Sequence, residues 1–551
     1  MPRLKPLISL LAVLCGGALC SCHSVLRVQL PRVETKLSSR EKRHLATLLD
    51  SVAEGWDGEQ FSLAHSRGKA AARGDKAFAD FLEEWNAKQC PRYWQSGTVF
   101  ASRHGSYEVE LATQTNPHEE VSPTQIDQLI KASRVKSHGD DTLAERGGLG
   151  VPMVGHIFRT NATRKDLPFL PPNGGNLTLT AIMEMAEDDH DPATPRRCRL
   201  RLINALNVDT VKLASAEKQL AANFTAAKDR ALSKKSLGLF SWLGLFYPER
   251  TLGDCHLYCM DVYDPKRIPV VFVHGLMSDP HIWLNAVNAI SSDPELRARY
   301  QPWYFLYPTG MAVPQTSARL RASLQQARDY FDPDHNDPGM SQMVLVGHSM
   351  GGLLSRMQAI DPQDKMWNAM FSKPPEKLNV TEPVRERLMT TLKFKPQPEV
   401  KRAIFITTPH RGSNIASMNI VRRLASLIRL PVDTLIMSEQ LLTGNTDALN
   451  PQIRDWGFFA FLSLGTLSND HPFYQGLNSV PIRVPYHSII GRIGKAPLQE
   501  SSDGAVPYWS AHLDGARSEK IVPFWHGCTE RPEVVEEVVR VLKEHLREGK
   551  K

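Results

Sequence analysis

The sequence predicts an α/β protein: a mostly parallel sheet in the C-terminal half, preceded by a mixed α+β region. From about Tyr263 onward, short apolar runs alternate with helical stretches, the order that sets helices between parallel strands. Ahead of that point, a helix-period segment gives way to short β-like runs separated by Gly/Pro-rich turns. The composition agrees, with 42% hydrophobic and 23% charged residues over 551 positions. That excludes a disordered, collagen-like or disulfide-scaffold chain, and the length allows several domains of about 100–200 residues. Lys and Arg total 66 against 59 Asp and Glu, a net +7. No basic block carries interleaved aromatics, so no nucleic-acid partner is expected.

Residues 1–22 read as an address. Arg3 and Lys5 precede an apolar run from Leu7 to Leu14, continued by Gly16, Gly17, Ala18 and Leu19. This is the layout of an export signal, too short for a bilayer span of roughly 20 residues. The segment ends in Leu19-Cys20-Ser21-Cys22, which resembles the lipobox of bacterial lipoproteins. The resemblance implies cleavage before Cys22, its acylation, and lipid anchoring of the chain to a membrane of the bacterial cell envelope. Cys20 departs from the usual small or β-branched residue. A frame ending at Cys20 fits less well, because it sets Leu19 at the cleavage position. An ordinary signal cut nearby, giving a secreted or periplasmic chain, is the alternative.

Residues 23–38 read as a tether and 39–262 as the mixed α+β domain. Leu45, Leu48, Leu49 and Val52 recur at helical steps within a pattern running from Lys42 to about Trp85. Tyr107–Leu111 and Leu177–Ile182 are β-like. No catalytic constellation stands out, which suits a support or docking domain. Five thiols follow Cys22, namely Cys90, Cys198, Cys255, Cys259 and Cys528. The odd number leaves at least one free or paired between chains. Cys255 and Cys259 lie roughly 13 Å apart if extended, too far to bridge. Asn-x-Thr sequons at Asn161, Asn176, Asn223 and Asn379 matter only to a eukaryotic secretory chain.

In residues 263–551 the strand candidates are Val270–His274, Trp303–Tyr307, Met343–Gly347, Ala403–Thr407 and Val484–Ile490. Helices are expected over Ser317–Tyr330, Met350–Ile360 and Pro532–Leu546. The last carries an apolar stripe of Val534, Val538, Leu542 and Leu546 behind a proline suited to a first helical position. Met343 to Gly352 runs strand, G-x-S-x-G, helix. Gly347 and Gly351 allow the sharp turn that exposes a serine hydroxyl, so Ser349 is the candidate nucleophile. A second strand exits in His274-Gly275-Leu276, which nominates the backbone N–H groups of Leu276 and Met350 as oxyanion donors.

On these residues, the segment from about Leu257 to the C-terminus resembles the α/β-hydrolase superfamily, particularly bacterial lipases and esterases of the His-Gly-Leu type. Thr408-Pro409-His410-Arg411-Gly412-Ser413, Ser502-Asp503-Gly504 and Val506-Pro507 also match. The resemblance implies a doubly wound, mostly parallel sheet with helical cap insertions and an acyl-enzyme mechanism without cofactor. It also implies that the acid and then the histidine follow the serine in chain order. Asp503, in a turn after a late strand, is then the acid, with Asp514 as the alternate. His526, in the loop before the last helix, is the base. His512 lies too near Asp503 for the fold, and His545 falls within the final helix. His274, His348 and His410 read as structural.

Residues 361–399 are the candidate cap. Met366, Trp367, Met370 and Phe371 there either line an acyl pocket or form plain core. Phe458, Phe459, Phe461 and Leu462 in a later insertion are a second candidate substrate face. No oxygen-ligand set for calcium is matched, so no metal and no cofactor are expected. The functional expectation is an exported serine hydrolase acting on carboxylic, lipid-like or acyl esters. The alternatives are an acyltransferase using the same triad and a non-catalytic envelope interaction protein.

Overall fold

The computed structural model describes residues 36–55, 69–112, 116, 118–136, 144–159, 167–171, 174–185, 194–213, 216–232, 234–413 and 427–549. Cys22 and the lipobox fall outside these. The helical pattern expected from Lys42 to Trp85 is two helices, α1 (Ser39–Gly55) and α2 (Lys69–Lys88). Leu45, Leu49 and Val52 face one core with Phe78, Phe81 and Trp85, and Trp85 stacks on Trp94 at 4.0 Å. These helices cover a six-stranded sheet built from β1 (Thr98–Ala101), β2 (Ser106–Leu111), β3 (Gln128–Lys131), β4 (Val151–Ile157), β5 (Gly175–Met185) and β6 (Arg196–Asn204). Its order is β1-β2-β6-β5-β4-β3, and only the β2–β6 pair is parallel. Asn176 and Asn223 of the sequons are buried.

The second sheet has seven strands: β7 (His256–Cys259), β8 (Ile268–Val273), β9 (Tyr300–Leu306), β10 (Met343–His348), β11 (Val400–Ile406), β12 (Tyr486–Gly491) and β13 (Ser518–Val522). The order is β7-β9-β8-β10-β11-β12-β13, with β7 antiparallel and every other pair parallel. β7 precedes Tyr263, so the sheet takes in residues ahead of the expected boundary at 263. No disulfide joins the five cysteines among the described residues; Cys255 precedes β7 and Cys259 is its last residue.

Strands β8 and β10 are apolar on both sides because both faces are covered. Val271, Val273 and Leu345 pack with α3 and α4 (Val313–Phe331 and Met350–Arg356). Val270, Phe272, Val344 and Val346 pack on the other side with Leu284 and Val287, and with α5 (Pro532–Glu548). α3 starts ahead of the expected Ser317, because Pro314 in its first turn needs no intrahelical acceptor. α4 stops at Arg356 rather than Ile360, where Ile360 instead bridges to Ile482.

A buried cluster ties α5 to the sheet. Arg402 on β11 is almost fully buried and donates to His487 Nε2 at 2.7 Å, His545 Nδ1 at 3.2 Å and Glu544 at 3.0 Å, with Glu548 as a further partner. Each imidazole that accepts from Arg402 passes its remaining N–H onward. His487 Nδ1 donates to Ser518 Oγ at 2.8 Å, and His545 Nε2 to the Gln342 carbonyl at 3.0 Å. Both rings are therefore held neutral. Burial, reinforced by Arg402, pushes the His487 pKa down to about 4, and burial pushes His156 and His471 down to about 4.

In the unfolded chain these histidines titrate near 6.5. Their stabilisation is therefore complete above that pH and declines as pH falls toward 4. Each group removes up to about 1.4 kcal/mol per pH unit across that window. The urea midpoint is expected to be lower at pH 5.0 than at pH 7.5, with a shallower dependence in His487→Gln. A midpoint that is flat or rises on acidification contradicts this.

Candidate active site

The chain leaves β10 through Ser349, whose φ is 52° and ψ −123°, and enters α4 at once. This conformation is uncommon for a residue with a side chain, and it survives because Gly347 and Gly351, two positions away on either side, have none. A Cβ on Gly347 would stand 2.5 Å from the Gly351 carbonyl oxygen, and one on Gly351 would run into the carbonyl oxygens of Val273 and His274. Elbow and β8 exit thus touch backbone to backbone. Gly275 is also tightly placed, where a Cβ would be 2.9 Å from His348 Nδ1 and 3.0 Å from Ser349 Cβ. Tyr307 fixes the β8 exit, its hydroxyl donating to the His274 carbonyl at 2.5 Å and its ring stacking on the imidazole at 4.3 Å.

Ser349, Asp503 and His526 follow β10, β12 and β13, so all three sit beyond the carboxyl ends of parallel strands. Open α/β sheets bind ligands at that edge. His526 Nε2 is 2.8 Å from Ser349 Oγ, and its Nδ1 is 2.7 Å from Asp503 Oδ2. The His526 N–H also donates to the Asp503 carbonyl at 3.0 Å. Asp503 Oδ1 accepts from the N–H groups of Ala505 and Val506 at 2.8 and 2.6 Å. The carboxylate is almost fully buried, while His526 is about one-fifth exposed. With Nδ1–H donated to the carboxylate, the Nε2 lone pair faces the serine hydroxyl.

The surrounding histidines are structural. His348 Nε2 donates to the His526 carbonyl at 3.0 Å, and burial, with His526 nearby, pushes its pKa down to about 3. His274 is also driven down by burial, to about 4. Neither ring adds positive charge beneath His526. The alternates lie elsewhere. Asp514 is 92% exposed and faces His512 at 3.2 Å, while His512 bonds Glu519 at 2.5 Å. His545 belongs to the Arg402 cluster.

Leu276 continues from Gly275 beside Ser349, and Met350 opens α4, whose leading N–H groups have no intrahelical acceptor. The side of the site near Leu276 is apolar. Leu276, Phe459 and Leu462 pack in one cluster with Leu245, Phe246 and Leu430. The later insertion therefore reaches Leu276 at the β8 exit, and Phe458 is about half exposed. Met366, Trp367 and Phe371 instead sit in the main core, with Trp367 and Phe371 stacked at 4.6 Å.

Leu245 and Phe246 belong to an unforeseen contributor, the helix Lys234–Phe246 of the front half. Gly310 N–H donates to the Gly244 carbonyl at 2.9 Å, Arg429 N–H to Phe246 at 2.8 Å, and Met277 N–H to Thr309 Oγ1 at 3.3 Å. The signal was the apolar run Leu237 to Phe246, unusually greasy for a connecting segment.

No family model and no curated protein matches the chain. Solved structures do. The mature lipase BlEst2 of Bacillus licheniformis is 18% identical, over 52% of this chain and 97% of that one, with a TM-score of 0.29. The lipase of Staphylococcus hyicus is 12% identical over 52% and 98%, with a TM-score of 0.32. A carboxylesterase of Nitrososphaera gargenis is 12% identical over 53% and 95%, with a TM-score of 0.29.

The elbow makes a steric prediction. Gly351→Ala forces a Cβ against two carbonyl oxygens and is expected to cost about 1–3 kcal/mol or more. A urea denaturation midpoint equal to that of wild type contradicts it.

Proposed function

We propose that the chain is a serine hydrolase of α/β-hydrolase type that cleaves carboxylic esters through an acyl-enzyme. The observation that carries this reading is the unbroken hydrogen-bonded path from Ser349 Oγ through His526 to Asp503, at 2.8 and 2.7 Å. Ser349 Oγ attacks the ester carbonyl carbon while His526 Nε2 takes the hydroxyl proton. Asp503 holds the imidazole in the required tautomer and stabilises the imidazolium that forms. The N–H groups of Leu276 and Met350 receive the negative oxygen of the tetrahedral intermediate.

Collapse of that intermediate breaks the bond to the alcohol oxygen, which leaves with the proton from His526. Water then attacks the acyl-serine, His526 again taking a proton; the acyl carbon–Oγ bond breaks, Ser349 Oγ recovers that proton from His526, and the carboxylic acid departs. The apolar cluster around Leu276, Leu462 and Phe459 favours an ester with an apolar acyl or alcohol part. We further propose lipid anchoring through Cys22 at a bacterial membrane. Mass spectrometry of the mature N-terminus tests that, and an unmodified end downstream of Cys22 rejects it.

The catalytic test is a panel of chromogenic esters of graded chain length. Ser349→Ala is expected to lose at least about 10³-fold in kcat, and Asp503→Asn about 10⁴-fold through the wrong imidazole tautomer. A fluorophosphonate should modify wild type at Ser349 and leave the folded Ser349→Ala unlabelled. Equal turnover by folded Ser349→Ala discards the assignment.

A further inference from the structure

A cavity of about 650 Å³ lies between α3 and the segment Arg387 to Pro398, within the insertion at 361–399. None of Ser349, Asp503 and His526 lines it. Its wall carries five cations, Arg319, Arg321, Arg387, Lys393 and Lys395, and no acidic side chain. Three of them are neutralised from outside the wall: Arg387 by Asp433 at 2.7 Å, Lys393 by Asp364 at 2.6 Å, and Lys395 by Asp361 at 3.2 Å. Arg319 and Arg321 have no acidic partner among the described residues.

Arg321 is the informative one. It is 7% exposed, its Nη1 donates to the Thr390 carbonyl at 3.2 Å, and the Phe394 ring lies 3.7 Å from its guanidinium carbon. Its Nε and Nη2 are buried with no partner. Those two nitrogens form the guanidinium edge that pairs with two oxygens of one anion. Arg92 uses the same edge on Asp127, with Nε at 2.8 Å and Nη2 at 3.3 Å. A buried cation with that edge unfilled is unfavourable, and a bound oxyanion relieves it. Burial without a counter-charge also depresses the Arg321 pKa to about 9. Ala318, Ala322, Phe394 and Pro396 supply an apolar wall beside the charge.

We propose that this cavity binds a small molecule bearing an oxyanion, a phosphate or a carboxylate, against the guanidinium groups of Arg321 and Arg319, which lack an acidic partner among the described residues. The inference is independent of the ester-hydrolase reading, because the cavity shares no residue with the triad and the readout is binding. The test is isothermal titration calorimetry on the full chain with inorganic phosphate, sn-glycerol 3-phosphate and octanoate, each against sodium chloride at matched ionic strength. Saturable binding of at least one oxyanion, absent with chloride, is expected. Phosphate alone sufficing identifies the head group as the determinant, and octanoate alone binding identifies a carboxylate that needs the apolar wall.

Arg321→Gln should weaken binding about ten- to a hundredfold and half-buried Arg319→Gln by a smaller factor, with ester hydrolysis retained as the sign of a folded chain. If Arg321→Gln does not fold, Arg319→Gln carries the test alone. Absence of saturable binding to wild type, or unchanged affinity in the folded variants, overturns the proposal.

Discussion

Ser349 can hold a left-handed backbone only where nothing crowds it, and that steric condition orders everything around it. Gly347 and Gly351 remove the side chains that would push β10, α4 and the β8 exit apart. Once those backbones meet, Gly275 is drawn against Ser349, with Leu276 next along the chain and Met350 opening α4. The parallel register of β8, β10, β11, β12 and β13 then brings loops from distant parts of the chain to the same edge. A larger residue at any of these glycines separates the pieces before it alters any chemistry.

The electrostatic arrangement is as economical. Asp503 is taken out of water, but two backbone N–H groups and one imidazole N–H answer its oxygens, so burial orients it without leaving it unsatisfied. His348 and His274 lie nearby yet stay neutral, driven down by burial to about 3 and about 4. The same tactic recurs at the far end of the sheet, where neutral rings of His487 and His545 brace Arg402 between β11 and α5. Imidazole serves there as an acceptor that fits where a carboxylate would bring charge.

Much of this was legible in the chain itself. The elbow is a local signal, a strand and a helix joined by small residues around a serine. The order of acid and histidine narrowed the partners to turn residues after late strands. Of the residues so chosen, His526 hydrogen-bonds Ser349 on one side and Asp503 on the other. Apolar spacing was less telling. Met366, Trp367 and Phe371 recur at near-helical steps, which specifies burial but not what lies opposite, and they fill the core rather than a pocket. The Arg402 cluster was illegible because it joins residues from three separated segments with no shared motif. Proline marks the start of α5 at Pro532, whereas α3 begins ahead of the expected Ser317, with Pro314 in its first turn.

The helix Lys234–Phe246 belongs by sequence to the front half, yet it lends Leu245 and Phe246 to the apolar side of the site and steadies the Gly310 turn through the Gly244 carbonyl. Ser349, Asp503 and His526 all come after β7, whereas Leu276, Leu430 and Leu462 pack against Leu245 and Phe246 ahead of it. The two halves are thus joint owners of one apolar surface, and exchanging the front half would reshape that surface while every member of the hydrogen-bonded triad stayed in the other half.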